Sequence, residues 1–198
     1  MHQFESANYV AKPLSLSVGN NLVDTAHTAW KLEVLVRKCA AHEMFFTGNT
    51  RGCDGGCGKY CTDKSPNCAL VKQLVMRELL APDALVWEVW RKGDVDFVGI
   101  LRLTRVRPGE DAFGHYFFFD GKLPGKLEIL QAWKEWCFTS AAGWEALHRI
   151  TLEIPAYAHV LAKHAGKLGF TDEGARKEAC LWRGGYYDML IMGCVNGV

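Results

Sequence analysis

Apolar positions recur with two different periods along this chain, and the switches between them mark its elements. From Asp24, DTAHTAWKLEVLVRKCAAHEMFF sets Ala26, Trp30, Leu32, Leu35, Val36 and Cys39 close to a 3.6-residue repeat. Asp24 or Thr25 serves as the cap, so the pattern predicts an amphipathic helix. Residues 47 to 67 lose the period and turn to Gly, Asn, Thr, Asp and Pro, a loop composition. The helical repeat returns in ALVKQLVMRELL, from about residue 69 to 80, and halts at Ala81-Pro82.

The period then drops to two. ALVWEVWR alternates Leu85, Trp87 and Val89 against Val86, Glu88 and Trp90, and DFVGILRLTRVR is a second strand ended by Pro108-Gly109. AFGHYFFFD, residues 112 to 120, is a third, and its aromatic run implies a strand covered on both faces. DGKLPGK follows as a glycine-bearing loop and leads into a helix, KLEILQAWKEWCFTSAAGWEAL, with Ile129, Leu130, Trp133, Trp136, Cys137 and Ala141 on one side. HRITLEIPAY alternates Ile150, Leu152 and Ile154 as another strand, and a short helix from about 158 to 168 ends at Gly169. ARKEACLWRGGYYDMLIMGCV reads as two strands turning at Gly184-Gly185, and residues 1 to 20 as a strand or an extended arm. This order predicts an α/β (α+β) fold with a mixed central sheet.

Composition narrows the class. At 198 residues, 49% hydrophobic and 23% charged, the chain reads as one globular domain over residues 1–198. A net charge of +1 gives no field that would select nucleic acid or an anionic membrane. MHQFESANYV has no basic start followed by an apolar run, and no stretch reaches membrane-spanning length, so a soluble cytoplasmic protein is expected.

Eight cysteines are unusual for such a chain. Cys39, Cys137, Cys180 and Cys194 sit among apolar neighbours and read as small buried hydrophobes. Cys53, Cys57, Cys61 and Cys68 crowd into CDGGCGKYCTDKSPNC, an insert at about 47–68. Four thiolates in that span suit a tetrahedral zinc or an iron–sulfur cluster; two disulfides or four free thiols are the competing readings.

LEIPAYAHVLAKHAGKLGFTDEG followed by GGYYDMLIMG resembles the GNAT superfamily of acyl-CoA-dependent N-acyltransferases. The likeness is to its N-terminal-amine and ribosomal-protein acetyltransferase subgroup, and to short phage-encoded members. HYFFFDGKLPGK resembles the fourth strand and phosphate-binding turn of that family. The resemblance covers roughly residues 84 to 194. It implies a sheet of about six to seven strands flanked by helices, with one strand splayed from the next to admit the pantetheine arm of acetyl-CoA. Phe118, Phe119, Gly121, Lys122, Gly125 and Lys126 are then the cofactor-binding residues, the last four acting through close backbone approach, charge and a helix N-terminus.

The family's usual residues of the last helix are not matched: Ala158 stands where an asparagine is common, Leu161 and Ala165 stand where the serine or tyrosine proton donor lies, and the second turn glycine falls at Leu127 or Glu128. His115, Glu88, Tyr116 and His164 are the substitute candidates, the first two foremost, because amine acylation needs a proton acceptor and a donor for the leaving thiolate. Tyr157, Tyr186 and Tyr187 lie near the expected cleft, and Asp188 reads as structural. The implied reaction is acetyl transfer to a primary amine, on a protein N-terminus or a small molecule. The alternatives are a catalytically inactive member serving as an assembly component, with location in the host cytoplasm or a virion if phage-encoded, and a nucleic-acid base-modifying relative.

Overall fold

The computed structural model describes residues 3–14, 34, 79, 81–94, 97–120, 122–141, 143–182 and 185–197. The chain divides into two compact units, Met1–Pro13 with Pro82–Val198, and Leu14–Ala81. In the second, Val34 and Leu79 are helical. The rest of the two expected N-terminal helices, the insert cysteines Cys53, Cys57, Cys61 and Cys68, and Gly121 and Gly184 lie outside the described residues.

The first unit builds one sheet from β1 (Phe4–Glu5), β2 (Tyr9–Pro13), β3 (Leu85–Arg91), β4 (Phe97–Arg107), β5 (Asp111–Phe118), β6 (Arg149–Pro155), β7 (Thr171–Trp182) and β8 (Gly185–Val195). The order across it is β1-β2-β3-β4-β5-β6-β8-β7. Eight strands exceed the six to seven expected because the N-terminal arm folds back as β1 and β2, pairing with β3 from Tyr9↔Arg91 to Pro13↔Trp87. Tight turns make the hairpin neighbours antiparallel. β5 and β6 are parallel, because α1 (Lys126–Cys137) carries the chain across between them. α2 (His159–Lys167) connects β6 to β7. The mixed α+β sheet expected from the sequence is what the chain forms.

α1 lies on one face of the sheet. Trp133 is 2% exposed, and Ile129 and Leu130 are fully buried with it. Trp136 meets Trp87 edge-on at 5.0 Å, stacks on Trp144 at 4.7 Å and lies over Phe4 at 6.0 Å. Burying a large aromatic contributes about 1.5–3 kcal/mol, so this seam is a main anchor of the helix. Lys134 Nζ donates to the Leu168 carbonyl at 2.6 Å, tying α1 to the C-terminus of α2.

The helix ends at Cys137, ten residues before the expected 147. Thr139 Oγ1 donates back to the Glu135 carbonyl at 2.8 Å, and Ala141 pairs with Trp144 around Gly143 at φ 75°, turning the chain away. α2 stops as expected. Gly169 takes φ 86°, and Phe170 turns into the core with its N–H donating to the Ala165 carbonyl at 3.1 Å. β7 starts at Thr171, so Glu173 and Gly174 lie inside the strand, in a bulge between Asp172 and Ala175. Cys137 and Cys180 are buried as expected and Cys194 is half-buried; burial raises all three thiol pKa values.

Candidate functional site

The pairing of β5 with β6 is short. It covers Asp111–Gly114 against Arg149–Leu152 and ends there. β5 runs on beside β4 as far as Phe118↔Gly99, and β6 runs on beside β8 as far as Pro155↔Met189. Two strands that remain in the sheet but no longer pair with each other leave a wedge-shaped gap whose apex is at Gly114 and Leu152. Both lips run N- to C-terminal toward the open end, so the loop into α1 and the start of α2 lie there, outside the carboxyl ends of the strands.

Gly114 marks the apex for a steric reason. A Cβ there would come within 2.9 Å of Leu152 Cδ2 and Trp133 Cη2 and 3.0 Å of Ile150 Cγ2. The β5 main chain supplies polar groups to the gap. The Phe119 N–H donates to the Val98 carbonyl at 3.0 Å, so the amides of Phe117 and His115 also point toward β4 by the two-residue alternation. Those of Tyr116 and Phe118 point the other way, into the gap.

The same alternation sorts the candidate side chains. Trp87 faces α1, so Glu88 faces the opposite side; Leu101 and Tyr116 follow Trp87 across the ladder, while Arg102 and His115 share the face of Glu88. His115 is exposed and is the first residue past the apex on the β5 lip. Its Nε2 lies 3.1 Å from Thr104 Oγ1. Continuing the β5–β6 register by one step would set Glu153 opposite His115 on the same face, and Arg176 on β7 forms an ion pair with Glu153 at 2.8 Å. The two lips therefore carry an imidazole and a carboxylate toward one side of the gap.

Glu88 stands apart from this pair. It is 1% exposed, accepts a hydrogen bond from Trp90 Nε1 at 3.3 Å and pairs in register with Lys12, whose ammonium sits 5.4 Å over the Trp90 ring. β3 is two strands from β5, about 10 Å at the usual inter-strand spacing, with Arg102 in between. Glu88 and His115 therefore share a face, two strands apart.

Tyr116 turns to the α1 side, where its hydroxyl donates to the Leu161 carbonyl of α2 at 3.1 Å. Burial pushes the phenol pKa well above its ordinary value. The bond ties the β5 lip to α2 on that face. His164 lies on α2, its pKa lowered first by burial and then by the charges of Lys126, Lys167 and Lys163. Tyr157 follows β6 directly and meets Tyr187 edge-on at 5.1 Å; Tyr186 is exposed. Asp188 Oδ1 accepts the Glu178 N–H at 2.9 Å, bracing a residue at φ 49° in β7, a structural use.

The loop at the open end is a compact turn. Asp120 Oδ1 accepts the Lys122 N–H at 2.8 Å, and the Asp120 carbonyl accepts from Leu123 at 3.2 Å. Gly125, at φ 68°, caps α1 in the left-handed region, where a side chain is disfavoured. The Tyr9 hydroxyl donates to the Pro124 carbonyl, fastening the loop to β2, and burial raises the pKa of that phenol. Lys122 is exposed and Lys126 half-buried, and Glu128 puts an acid in the first turn of α1, 3.4 Å from Asn8 Nδ2.

Sequence reasoning missed Glu153, Thr104 and Arg102. All three sit where an alternating strand places a polar residue among apolar neighbours, the same signal that singled out Glu88. Among the described residues no group of three or more His, Cys, Asp or Glu side chains is arranged to hold a metal ion. No helix among them is long and apolar enough to cross a membrane.

No protein-family model matches the sequence, and no curated protein matches it. Solved structures do. RimL, a ribosomal L7/L12 alpha-N-protein acetyltransferase in complex with coenzyme A, matches with a TM-score of 0.64 at 16% identity, over 96% of each chain. A ribosomal-protein-S5-alanine acetyltransferase from Vibrio fischeri matches at 0.63 and 18%, over 100% of this chain and 98% of its own. Mutant forms of the spermidine/spermine N-acetyltransferase SpeG from Vibrio cholerae match at 0.64 and 12%, over 96% and 95%. A GNAT-family acetyltransferase from Bacillus anthracis matches at 0.62 and 12%, over 98% of each. The fold of this chain is the GNAT fold.

Proposed function

We propose that this chain is an acyltransferase that moves an acetyl group from acetyl-CoA to a primary amine by direct attack. The observation that carries the reading is the β5–β6 ladder that ends at Gly114 and Leu152 while both strands run on. Such a gap exposes strand amides to an amide-bearing, extended ligand, and the pantetheine arm of CoA has that chemistry. The N–H groups of Tyr116 and Phe118 pair with the arm and polarise the thioester carbonyl, as preorganised donors do for a developing oxyanion. Lys122, Gly125, Lys126 and the start of α1 receive the pyrophosphate at the open end.

The acceptor amine approaches from the face of His115 and Glu153. Glu153 docks the incoming ammonium, and His115 accepts the proton that frees the nitrogen lone pair. The amine attacks the thioester carbon, a C–N bond forms and the C–S bond breaks; the nitrogen sheds its second proton as the amide forms, and that proton goes to the departing CoA thiolate, directly or through water. Tyr116 sets the width of the gap through its bond to α2. The acceptor is a protein N-terminus or a small amine, and the acetyltransferase neighbours at low identity support both classes.

Calorimetry with acetyl-CoA, followed by mass spectrometry of an amine panel, tests the reading. A ligand at a hundredfold its Kd stabilises the native state by about 2.7 kcal/mol, so a rise in Tm accompanies binding. Heat of binding and an acetylated product are expected. Absence of both at millimolar acetyl-CoA sinks the transferase reading and leaves the non-catalytic assembly role.

A further inference from the structure

We propose that Thr104 is a positioning residue for His115: its hydroxyl holds the imidazole in the tautomer that carries its hydrogen on Nε2, which assigns the proton-accepting lone pair to Nδ1. The proposal rests on the transferase reading above, in which His115 accepts the amine proton.

The two side chains meet diagonally across the β4–β5 ladder, Thr104 pairing with Phe113 and His115 with Arg102, and Oγ1 stands 3.1 Å from Nε2. A threonine hydroxyl accepts or donates, so the distance alone permits either sense. The reaction separates them. If the hydroxyl donated to Nε2, neutral His115 would present Nδ1–H to the amine, with no lone pair there, and protonation of Nε2 would force the hydroxyl to rotate. If Nε2–H donates to Oγ1, the same bond persists through proton uptake at Nδ1 and strengthens as the ring becomes an imidazolium.

The backbone beneath Thr104 is held for such a task. The ladder is interrupted directly after it, between Thr104 and Arg107, and Arg105 takes φ 50°, a costly conformation for a residue with a side chain. Two clamps hold that bulge. The Arg105 guanidinium lies 4.8 Å over the Phe113 ring, and Arg107 grips Asp111 at 2.7 and 2.6 Å, lowering the Asp111 pKa. A β-branched side chain on a fixed backbone has few rotamers, so the hydroxyl stays in place.

The test compares T104V, T104S and H115Q in the full chain. Nitrogen-15 NMR reads the His115 tautomer, and the pH dependence of kcat reads its titration. The charged groups on the same face include Arg102 and Arg105 on β4, Asp111 on β5, Glu88 on β3 with Lys12 on β2, Arg149 and Glu153 on β6, and Arg176 on β7, and none of them changes in T104V. In the parent chain the Nε2–H tautomer is expected. T104V should give a tautomer mixture and shift the acidic limb of the profile to lower pH, because an acceptor that favoured imidazolium is gone. Its kcat should fall about tenfold with KM for acetyl-CoA unchanged. T104S should restore tautomer, limb and rate together. Tautomer, limb and rate all unchanged in T104V, or an Nδ1–H tautomer in the parent chain, overturns the role of Thr104 while transferase activity and its dependence on His115 stand. Full activity in H115Q overturns the proton-acceptor role itself, and that of Thr104 with it.

Discussion

Gly114 carries more of this structure than its size suggests. Trp133 of α1, Leu152 and Ile150 occupy the space a Cβ would need, at 2.9, 2.9 and 3.0 Å. G114A therefore forces an aromatic and two branched side chains to shift in a packed core, and a loss of about 1–3 kcal/mol in denaturant unfolding is expected. Nothing in AFGHYFFFD marked that glycine, because its neighbours come from α1 and β6, far away in sequence. His115 and Lys126 stood out in the sequence, as polar groups at conspicuous places in strand and loop. Glu153 was not, since its importance lies in the register that would set it opposite His115. His164 adds a pH test. Burial and nearby lysines hold its pKa below the ordinary imidazole value, so the fold favours the neutral ring. Its stabilising effect is present above pH about 6.5 and is lost as pH falls through the folded pKa. In the proposed function, phosphates received near Lys126 would bring negative charge that reverses the effect. The His164 resonances should titrate at higher pH with CoA than without it, and CoA should bind more tightly as pH falls through that window.

At the scale of elements, strands with long alternation were readable and short ones were not. β3, β4 and β6 show their period in the sequence, whereas β1 and β2, of two and five residues, offer too few positions to establish one. The overrun of α1 has a similar cause: the apolar repeat continues past Cys137, and the Thr139 hydroxyl, the turn at Gly143 and the Leu147 N–H on the Cys137 carbonyl end the helix. β7 shows what such local devices achieve. Bulges on either side of Ala175–Arg176 shape the edge strand from which Arg176 reaches over β8 to Glu153. The pair is partly exposed, so R176M should change stability by less than about 1 kcal/mol. Its expected effect is on the amine: with the competing cation gone from Glu153, KM for the acceptor falls severalfold, KM for acetyl-CoA stays put, and steady-state kinetics with both substrates varied checks the split.

For the molecule as a whole, the alternation of strands and helices and the Gly169–Phe170 stop made the fold legible. The order of strands was not, because pairing between distant segments leaves no periodic trace, and the parting of β5 from β6 was expected only through the family resemblance. That ladder is also the seam of the sheet. Five strands lie on one side of it and three on the other, joined by four residue pairs. The sheet thus resembles two leaves of a book bound along a short spine. A carrier inserted between the leaves would stitch the unbound length, and the spine would gain from it. Amide hydrogen exchange at residues 111–114 and 149–152 should slow on acetyl-CoA binding, although the ligand would sit beyond them.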